Sequence, residues 1–430
     1  MSTVRRTAGT AAVGLLTALA LIGCSSAAPS SSSNDEPESS SGGDGAASSP
    51  EEVTFWGSWS GDQITQLEAQ TAAFNEAQDD YVVTYVAQEL VEEKLLTGLA
   101  SGQVPDVVLW DRYQTSLYVP QGALAPIDDY LERDGIDVAQ FYDQAMGEMV
   151  VDGQTYGVPL LVDNRSLFFN AAVFKEAGVE PPTTWDELRG VAQQLTERDG
   201  SSLTRAGFSL GDPGLFNMWL RQAGGAMLTE DGTATAFNSP EGLEVLSFWQ
   251  SILDDGSFEL GFGEGVDAFA EGDLVMKYDG PWALSGLDAS DVDYGIVEPV
   301  AGPDGDQAAG MGGFGLVIPE GAPNAEGAWE FIKWWTTQPE NGVAFAKISG
   351  WIPANIDAAN DPYFTDDPHY AAFIAAMDYA TVRSNVPGTS DVEGKALIPA
   401  LQKFMAGDVS AEAALAEAQQ LGDQILAQNR

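Results

Sequence analysis

The sequence is poor in three kinds of residue, and each scarcity excludes a class of function. Its 430 residues include one cysteine, one histidine, and 18 lysines and arginines against 65 aspartates and glutamates, so that the formal net charge is −47. A lone cysteine excludes an intrachain disulfide, and a lone histidine (His369, expected at the surface) excludes a histidine pair for zinc. The negative charge disfavours nucleic acid and anionic lipid head groups.

The first 50 residues have the composition of an export signal followed by a linker. Arg5 and Arg6 precede an apolar run over 11–22, which is typical of a signal peptide covering residues 1–23 and is too short to span a bilayer. The run ends in LIGC, which resembles a bacterial lipobox with Cys24 as the lipidated residue. The alternative is an ordinary signal peptide with an incidental cysteine. Residues 24–50 are rich in Ser, Gly and Ala and predict a flexible tether, so that the protein would be anchored to the outer face of the cell membrane.

The remaining part of about 380 residues is longer than one hydrophobic core usually serves, so two lobes are expected. Residues 53–56, 81–86 and 107–110 are typical of strands. Between them lie two amphipathic segments with helical spacing, one of them over 91–100. This alternation predicts an α/β fold with parallel strands, whose carboxyl ends form the edge where ligands bind.

Further along the chain, three segments begin with helix-capping residues, and two others contain unusual patterns. Thr184, Ser239 and Asn324 are predicted to cap helices. Residues 157–170 hold two apolar halves separated by DNRS, which indicates a crossing between lobes where the polar residues leave the core. GMGGFG at 310–315 formally fits a dinucleotide motif, but its context is that of a loop entering a strand, so a flexible or ligand-approaching segment is the better interpretation.

Aromatic residues provide the positive signal for function. Eight of them lie in or beside segments rich in Gly, Ser, Pro or Asp: Trp56, Trp59, Trp110, Tyr113, Trp219, Tyr278, Trp282 and Trp351. Each alone is more often a packing residue, but together several should line a site. Flat rings beside carboxylates and amides suit a carbohydrate. A box for a quaternary ammonium is the competing interpretation.

Six segments in register resemble the family 1 extracellular solute-binding proteins of ABC importers, a group that includes maltose-binding and glycerol-phosphate-binding proteins. Among them are VTFWGSWSGDQITQLEAQTAAFNEAQ, KLLTGLASGQVPDVVLWD, FAEGDLVMKYDGPWAL and SGWIPAN. The resemblance implies a two-lobe, type II periplasmic-binding-protein-like α/β fold, each lobe a mainly parallel sheet flanked by helices, with the ligand cleft between them. The expected lobes are 51–163 plus 313–350 and 164–312 plus 351–430.

The resemblance also implies a ligand site, carried over residue by residue. The implied ligand-binding residues are Ser58, Trp59, Gln63, Asp111, Tyr113, Asp163, Asn164, Arg165, Trp219, Trp282, Gly312, Gly313, Trp351 and Arg383. No catalytic residue, cofactor or metal is implied.

The expected function is that of a monomeric lipoprotein that captures a sugar or small oligosaccharide by hinge closure and delivers it to the permease subunits of an ABC importer. Two alternatives remain. One is a receptor for a polyol, a glycerol-phosphate-type solute or a quaternary amine. The other is a surface glycoside hydrolase, since a carboxylate pair is available among 65 acids.

Overall fold

A computed structural model describes residues 49–429. The expected signal peptide, Cys24 and almost all of the tether lie outside this range. The strands are β1 Glu51–Gly57, β2 Tyr81–Ala87, β3 Val107–Asp111, β4 Val150–Val151, β5 Gln154–Thr155, β6 Gly157–Pro159, β7 Leu161–Asn164, β8 Ser166–Asn170, β9 Glu197–Asp199, β10 Ser202–Arg205, β11 Met276–Asp279, β12 Tyr294–Val297, β13 Ala309–Gly312, β14 Phe314–Val317, β15 Ile352–Pro353 and β16 Ala380–Thr381.

Helices make up much of the rest of the described chain. They are α1 Asp62–Ala77, α2 Val91–Ser101, α3 Thr115–Tyr118, α4 Asp128–Asp134, α5 Asp143–Gly147, α6 Ala171–Ala177, α7 Trp185–Leu195, α8 Phe216–Gln222, α9 Pro240–Asp254, α10 Leu284–Asp288, α11 Ala325–Thr336, α12 Pro339–Ser349, α13 Ile356–Ala359, α14 Pro362–Thr365, α15 Pro368–Ala376, α16 Thr389–Asp391, α17 Ile398–Met405 and α18 Ala411–Gln428, with a π-helix at Val392–Leu397. Within residues 49–429, none of these helices has the length and apolar character needed to cross a membrane.

The first three predicted strands form one edge of a five-stranded sheet with the order β2–β1–β3–β14–β6. β1 pairs with β2 and β3 in parallel, as the alternation of strands and helices predicts. The alternating pattern of β1 buries Val53 and Phe55 on one face. The Phe55 ring meets Phe331 and Trp335 of α11, with centroids 5.5 and 6.2 Å away. Helix α11 therefore covers this face of the sheet.

The predicted helix starts are confirmed by hydrogen bonds at their first turns. The side chain of Thr184 accepts from the backbone N–H of Glu187. Ser239 and Asn324 cap α9 and α11 in the same way, three residues ahead of the bonded N–H. Such caps satisfy N–H groups that have no partner within the helix, and each typically contributes about 1 kcal/mol.

The segment 157–170 links three sheets within 14 positions, because single residues separate β6, β7 and β8. β6 belongs to the five-stranded sheet, β7 to a four-stranded sheet with the order β15–β7–β13–β16, and β8 to a three-stranded sheet with the order β11–β8–β12. The expectation that its polar residues leave the core is wrong for Asn164 and Ser166, which are both fully buried. Burial is tolerated because the Asn164 amide donates to the carbonyl of Phe373 and its oxygen accepts from Ser166.

Two further expectations need correction. β8 pairs with β11 and β12 in antiparallel fashion, so this sheet is not mainly parallel. The direction in which two strands pair depends on how distant segments of the chain return to the sheet. The residues of one strand alone therefore do not indicate whether it pairs in parallel or antiparallel fashion. Residues 310–315 are also not a loop entering a strand, since β13 and β14 run through them with Gly313 as the only residue between.

Candidate ligand-binding cleft

A cavity of about 470 Å³ lies where the carboxyl ends of β1 and β3 face β7, β13 and the turn after β11. This volume is in the range of small-molecule sites. Eleven residues expected at the site line it: Trp59, Gln63, Asp111, Tyr113, Asp163, Arg165, Trp282, Gly312, Gly313, Trp351 and Arg383. The strand-end rule and the family resemblance therefore predicted residues that the fold brings together from seven separate segments.

Three expected residues do not line this cavity. Ser58 is exposed on the loop between β1 and α1. Asn164 is buried and uses its amide to hold the carbonyl of Phe373. Trp219 is 1% exposed and packs against Trp185, with ring centroids 5.3 Å apart. Its place on α8 explains the correction, because α8 turns Asn217 and Met218 toward the cavity and Trp219 into the core.

Other residues reach the cavity without having been expected there. They are Gly214, Leu215, Asn217, Met218, Gly310, Met311, Phe314, Thr381 and Glu393. The first four lie around the start of α8, close in sequence to Trp219, which points into the core. Glu393 lies in the π-helix, and its sequence gives no sign of proximity to a site.

Of the eight aromatic residues singled out in the sequence, Trp59, Tyr113, Trp282 and Trp351 line the cavity and the other four do not. Trp110 and Tyr278 are buried in the core, and Trp56 packs against it.

Three tryptophans form an aromatic wall, which we define as Trp59, Trp351 and Trp282. The Trp59 and Trp351 rings are stacked with centroids 5.5 Å apart and 18° between their planes. Trp282 continues the row 5.1 Å from Trp351. Phe314 stands edge-on to Trp59 at 5.3 Å. Mutual packing fixes the orientation of these rings before any ligand binds, and it leaves Trp59 and Trp351 only 6% and 5% exposed.

Each arginine at the cavity already has a carboxylate partner. Arg165 binds Asp163 at 2.7 Å and lies over the Trp282 ring, 4.2 Å from its centroid. Arg383 binds Glu393, also at 2.7 Å, and lies over the ring of Tyr113. Pairing and ring contact hold both guanidinium groups in place and leave little of their charge for a ligand.

Asp111, at the end of β3, is the cavity carboxylate without such a partner. In the described part of the chain no group donates a hydrogen bond to its carboxylate. Burial raises its pKa from 3.8 to about 7, although Arg383 and Arg112 oppose the rise. Glu148 and Asp163 add to it by repulsion. Desolvation of the charged form therefore outweighs the attraction of the nearby arginines.

Arg112 lies beneath the cavity and ties its strands together. Its side chain is fully buried and binds Glu148 at 3.0 Å. It also donates to the carbonyl oxygens of Leu161 on β7 and Gly312 on β13, the latter at 2.6 Å. Burial raises the pKa of Glu148, and the charge of Arg112 opposes this. One guanidinium thus joins the two chain segments that pass between the sheets.

No histidine lines the cavity. His369, the single histidine, is partly exposed and stacks on Tyr294 with centroids 4.4 Å apart, and it does not line the cavity. Residues 49–429 contain no group of three or more His, Cys, Asp or Glu side chains arranged to hold a metal ion. Burial gives Asp111 a raised pKa, and the other two carboxylates of the cavity, those of Asp163 and Glu393, are bound to arginines.

The fold and the cavity define a receptor for a small solute with two α/β lobes. Residues 69–372 match the bacterial extracellular solute-binding protein family. Because this match takes in more than half of the chain, the protein belongs to that family.

Similarity to individual proteins extends over most of the chain. The maltotriose-binding protein of Pyrococcus abyssi is 24% identical, in an alignment that covers 80% of this chain and 75% of that protein. The sn-glycerol-3-phosphate-binding periplasmic protein of Rhizobium meliloti is 25% identical, in an alignment that covers 71% of this chain and 76% of that protein. The crystal structure of a cyclic alpha-maltosyl-1,6-maltose binding protein from Arthrobacter globiformis superposes with a TM-score of 0.74 at 27% identity, covering 88% of this chain and all of that one.

Proposed function

We propose that this protein is the substrate-binding lipoprotein of an ABC importer, which captures a sugar or small oligosaccharide and delivers it to membrane permease subunits. The observation that carries the proposal is the aromatic wall of Trp59, Trp351 and Trp282 in the same cavity as carboxylate and amide groups. Rings suit the C–H faces of a sugar, and polar groups suit its hydroxyls. The maltotriose-binding and maltosyl-maltose-binding relatives are consistent with this class of ligand.

The charges in the cavity favour a sugar over a glycerol-phosphate-type solute, although one relative binds the latter. A phosphate needs a free arginine or lysine, or several aligned donors. Arg165 and Arg383 are each bound to a carboxylate, and a phosphate would have to break those pairs. A polyol is chemically closer to a sugar and remains the stronger alternative.

Ligand capture would be a hinge motion between lobes at 51–163 plus 313–350 and 164–312 plus 351–430. All strands of the five-stranded sheet fall within the first set. The chain passes between the sets three times, after Asp163, before Gly313 and before Trp351, and all three of these residues line the cavity. A ligand that contacts both lobes would favour the closed form by its additional contacts there. We further propose that the receptor acts as a monomer and that ligand capture involves no catalytic step.

Calorimetric titration with mono-, di- and trisaccharides, polyols and glycerol phosphate tests the ligand class. We expect binding of at least one neutral sugar and none of glycerol phosphate. Failure of every sugar with a protein that circular dichroism shows to be folded would contradict the proposal. Release of smaller sugars from a bound oligosaccharide, followed by chromatography, would instead support a glycoside hydrolase.

The anchor is tested separately by Cys24→Ala in the producing cell. Without the thiol there is no acceptor for the lipid, so we expect a binding-competent protein in the medium instead of in the membrane fraction. A variant that remains in the membrane fraction would show that Cys24 is not the anchor. Ser25→Ala serves as the matched control and should stay with the membrane.

A further inference from the structure

The positive and negative charges of the side chains that line the cavity are not equal in number. Arg165 is paired with Asp163, and Arg383 is paired with Glu393. Asp111 is the fifth charged residue of the lining, and no arginine or lysine forms an ion pair with it in the described chain. When Asp111 is ionised, the lining therefore carries one negative charge more than it has positive charges.

The groups around Asp111 do not supply the missing charge. Arg383 attracts it, but that guanidinium is held by its own carboxylate. Arg112, the next residue, attracts it too and is bound to Glu148. Glu148 and Asp163 repel it. Both positive charges in reach of Asp111 are thus already shared, which is why burial keeps the pKa of this carboxyl near 7.

A closed cleft makes this imbalance more costly. A neutral sugar can donate hydroxyl hydrogen bonds to Asp111 but leaves its charge uncompensated in a water-poor space. An ammonium group donates hydrogen bonds and also supplies the opposite charge, and charge-assisted bonds are roughly twice as strong as neutral ones. The net charge of −47 on the whole chain would in addition steer cations toward the protein.

We propose that the cleft selects an amino sugar, in which an ammonium group of a saccharide pairs with the Asp111 carboxylate while the sugar ring lies against the aromatic wall. This inference rests on the proposed function, since it names the class of saccharide for the same cavity. It differs from a quaternary ammonium site, because the ammonium group of an amino sugar donates N–H hydrogen bonds to the Asp111 carboxylate, and a quaternary ammonium has no N–H to donate.

The test compares sugars that share a skeleton and differ in charge. The probes are glucosamine and its dimer and trimer, each measured by calorimetry at pH 7 against the N-acetylated compound of the same length and against glucose, maltose and maltotriose. The protein variants are wild type, Asp111→Asn and Asp79→Asn. The last removes one negative charge from the exposed turn after α1, away from the cavity.

We expect the amino compound to bind at least tenfold more tightly than its N-acetylated partner to wild type and to Asp79→Asn. In Asp111→Asn this preference should fall below threefold. Equal or tighter binding of the neutral partner would overturn the inference, and so would a preference that survives in Asp111→Asn. If neutral sugars bind well without any preference, the inference fails while the proposed function stands. If no saccharide binds to the folded protein, both fail.

Discussion

Replacement of Asp111 by asparagine should stabilise the ligand-free protein at high pH. The folded state raises the pKa of Asp111 from 3.8 to about 7. Between these two values the folded protein holds a proton that the unfolded chain has lost, so wild-type stability falls as the pH rises through this window. Above pH 7 the wild-type protein bears the full free-energy cost of burying the ionised Asp111 carboxylate, and below pH 4 this cost is absent. Asparagine does not titrate, so the variant avoids this loss.

The magnitude follows from the size of the pKa rise. One pH unit of difference corresponds to about 1.4 kcal/mol, so the loss between pH 5 and pH 7 amounts to roughly 2–3 kcal/mol. The buried amide of asparagine has a desolvation cost of its own, about 1–3 kcal/mol when unpaired. That cost does not depend on pH and cancels when the same variant is compared at two pH values.

Urea unfolding followed by tryptophan fluorescence at pH 5, 6, 7 and 8 measures the effect. The free energy of unfolding of Asp111→Asn relative to wild type should increase by about 2–3 kcal/mol from pH 5 to pH 8. Asp79→Asn, at an exposed position, is the control for a general charge effect. A difference between variant and wild type that stays constant within about 0.5 kcal/mol, or that changes with the opposite sign, would refute the reasoning.

Three further substitutions test the cavity floor and wall. Gly313→Ala should lower the free energy of unfolding by more than about 2 kcal/mol, because φ is +126° and a Cβ would lie 2.6 Å from Arg112 Nη1. Gly310→Ala is the control, because a Cβ at that position meets no neighbour. Equal losses in the two variants would contradict the prediction. Arg112→Met should lower the free energy of unfolding by roughly 3–5 kcal/mol, because it leaves the Glu148 carboxylate buried without its partner. Adding Glu148→Gln should recover part of this loss. A loss below about 1 kcal/mol would contradict the role of Arg112 in holding the strands together. Trp351→Ala should weaken sugar binding by about 1 kcal/mol or more and Trp351→Phe by less, whereas unchanged calorimetric affinity would remove Trp351 from the site.

The local elements were largely predictable because their signals are local. Alternation in β1 and β2, the helical stripes of α1 and α2, and the caps at Thr184, Ser239 and Asn324 depend on residues within a few positions of each other. The strand-end rule then placed Trp59 and Asp111 at one edge of the sheet. The family resemblance supplied the distant segments of the cleft, such as those of Trp282 and Trp351.

What failed depended on direction or on partners far away in sequence. The antiparallel pairing of β8 is decided by strands that return more than a hundred residues later. Trp219 was assigned to the cavity although the phase of α8 buries it. Asn164 was expected to bind ligand, but the carbonyl of Phe373 takes its amide.

The sequence by itself determined an acidic chain with a single cysteine and a single histidine, an α/β alternation, and a surplus of aromatic residues in strand-end segments. Only the tertiary structure decided which of those rings form a wall, that Arg165 and Arg383 are already paired, and that Asp111 is left without a partner. The physical reason is that composition fixes how many charges exist, whereas desolvation and pairing act over a few ångströms between residues that the fold brings together.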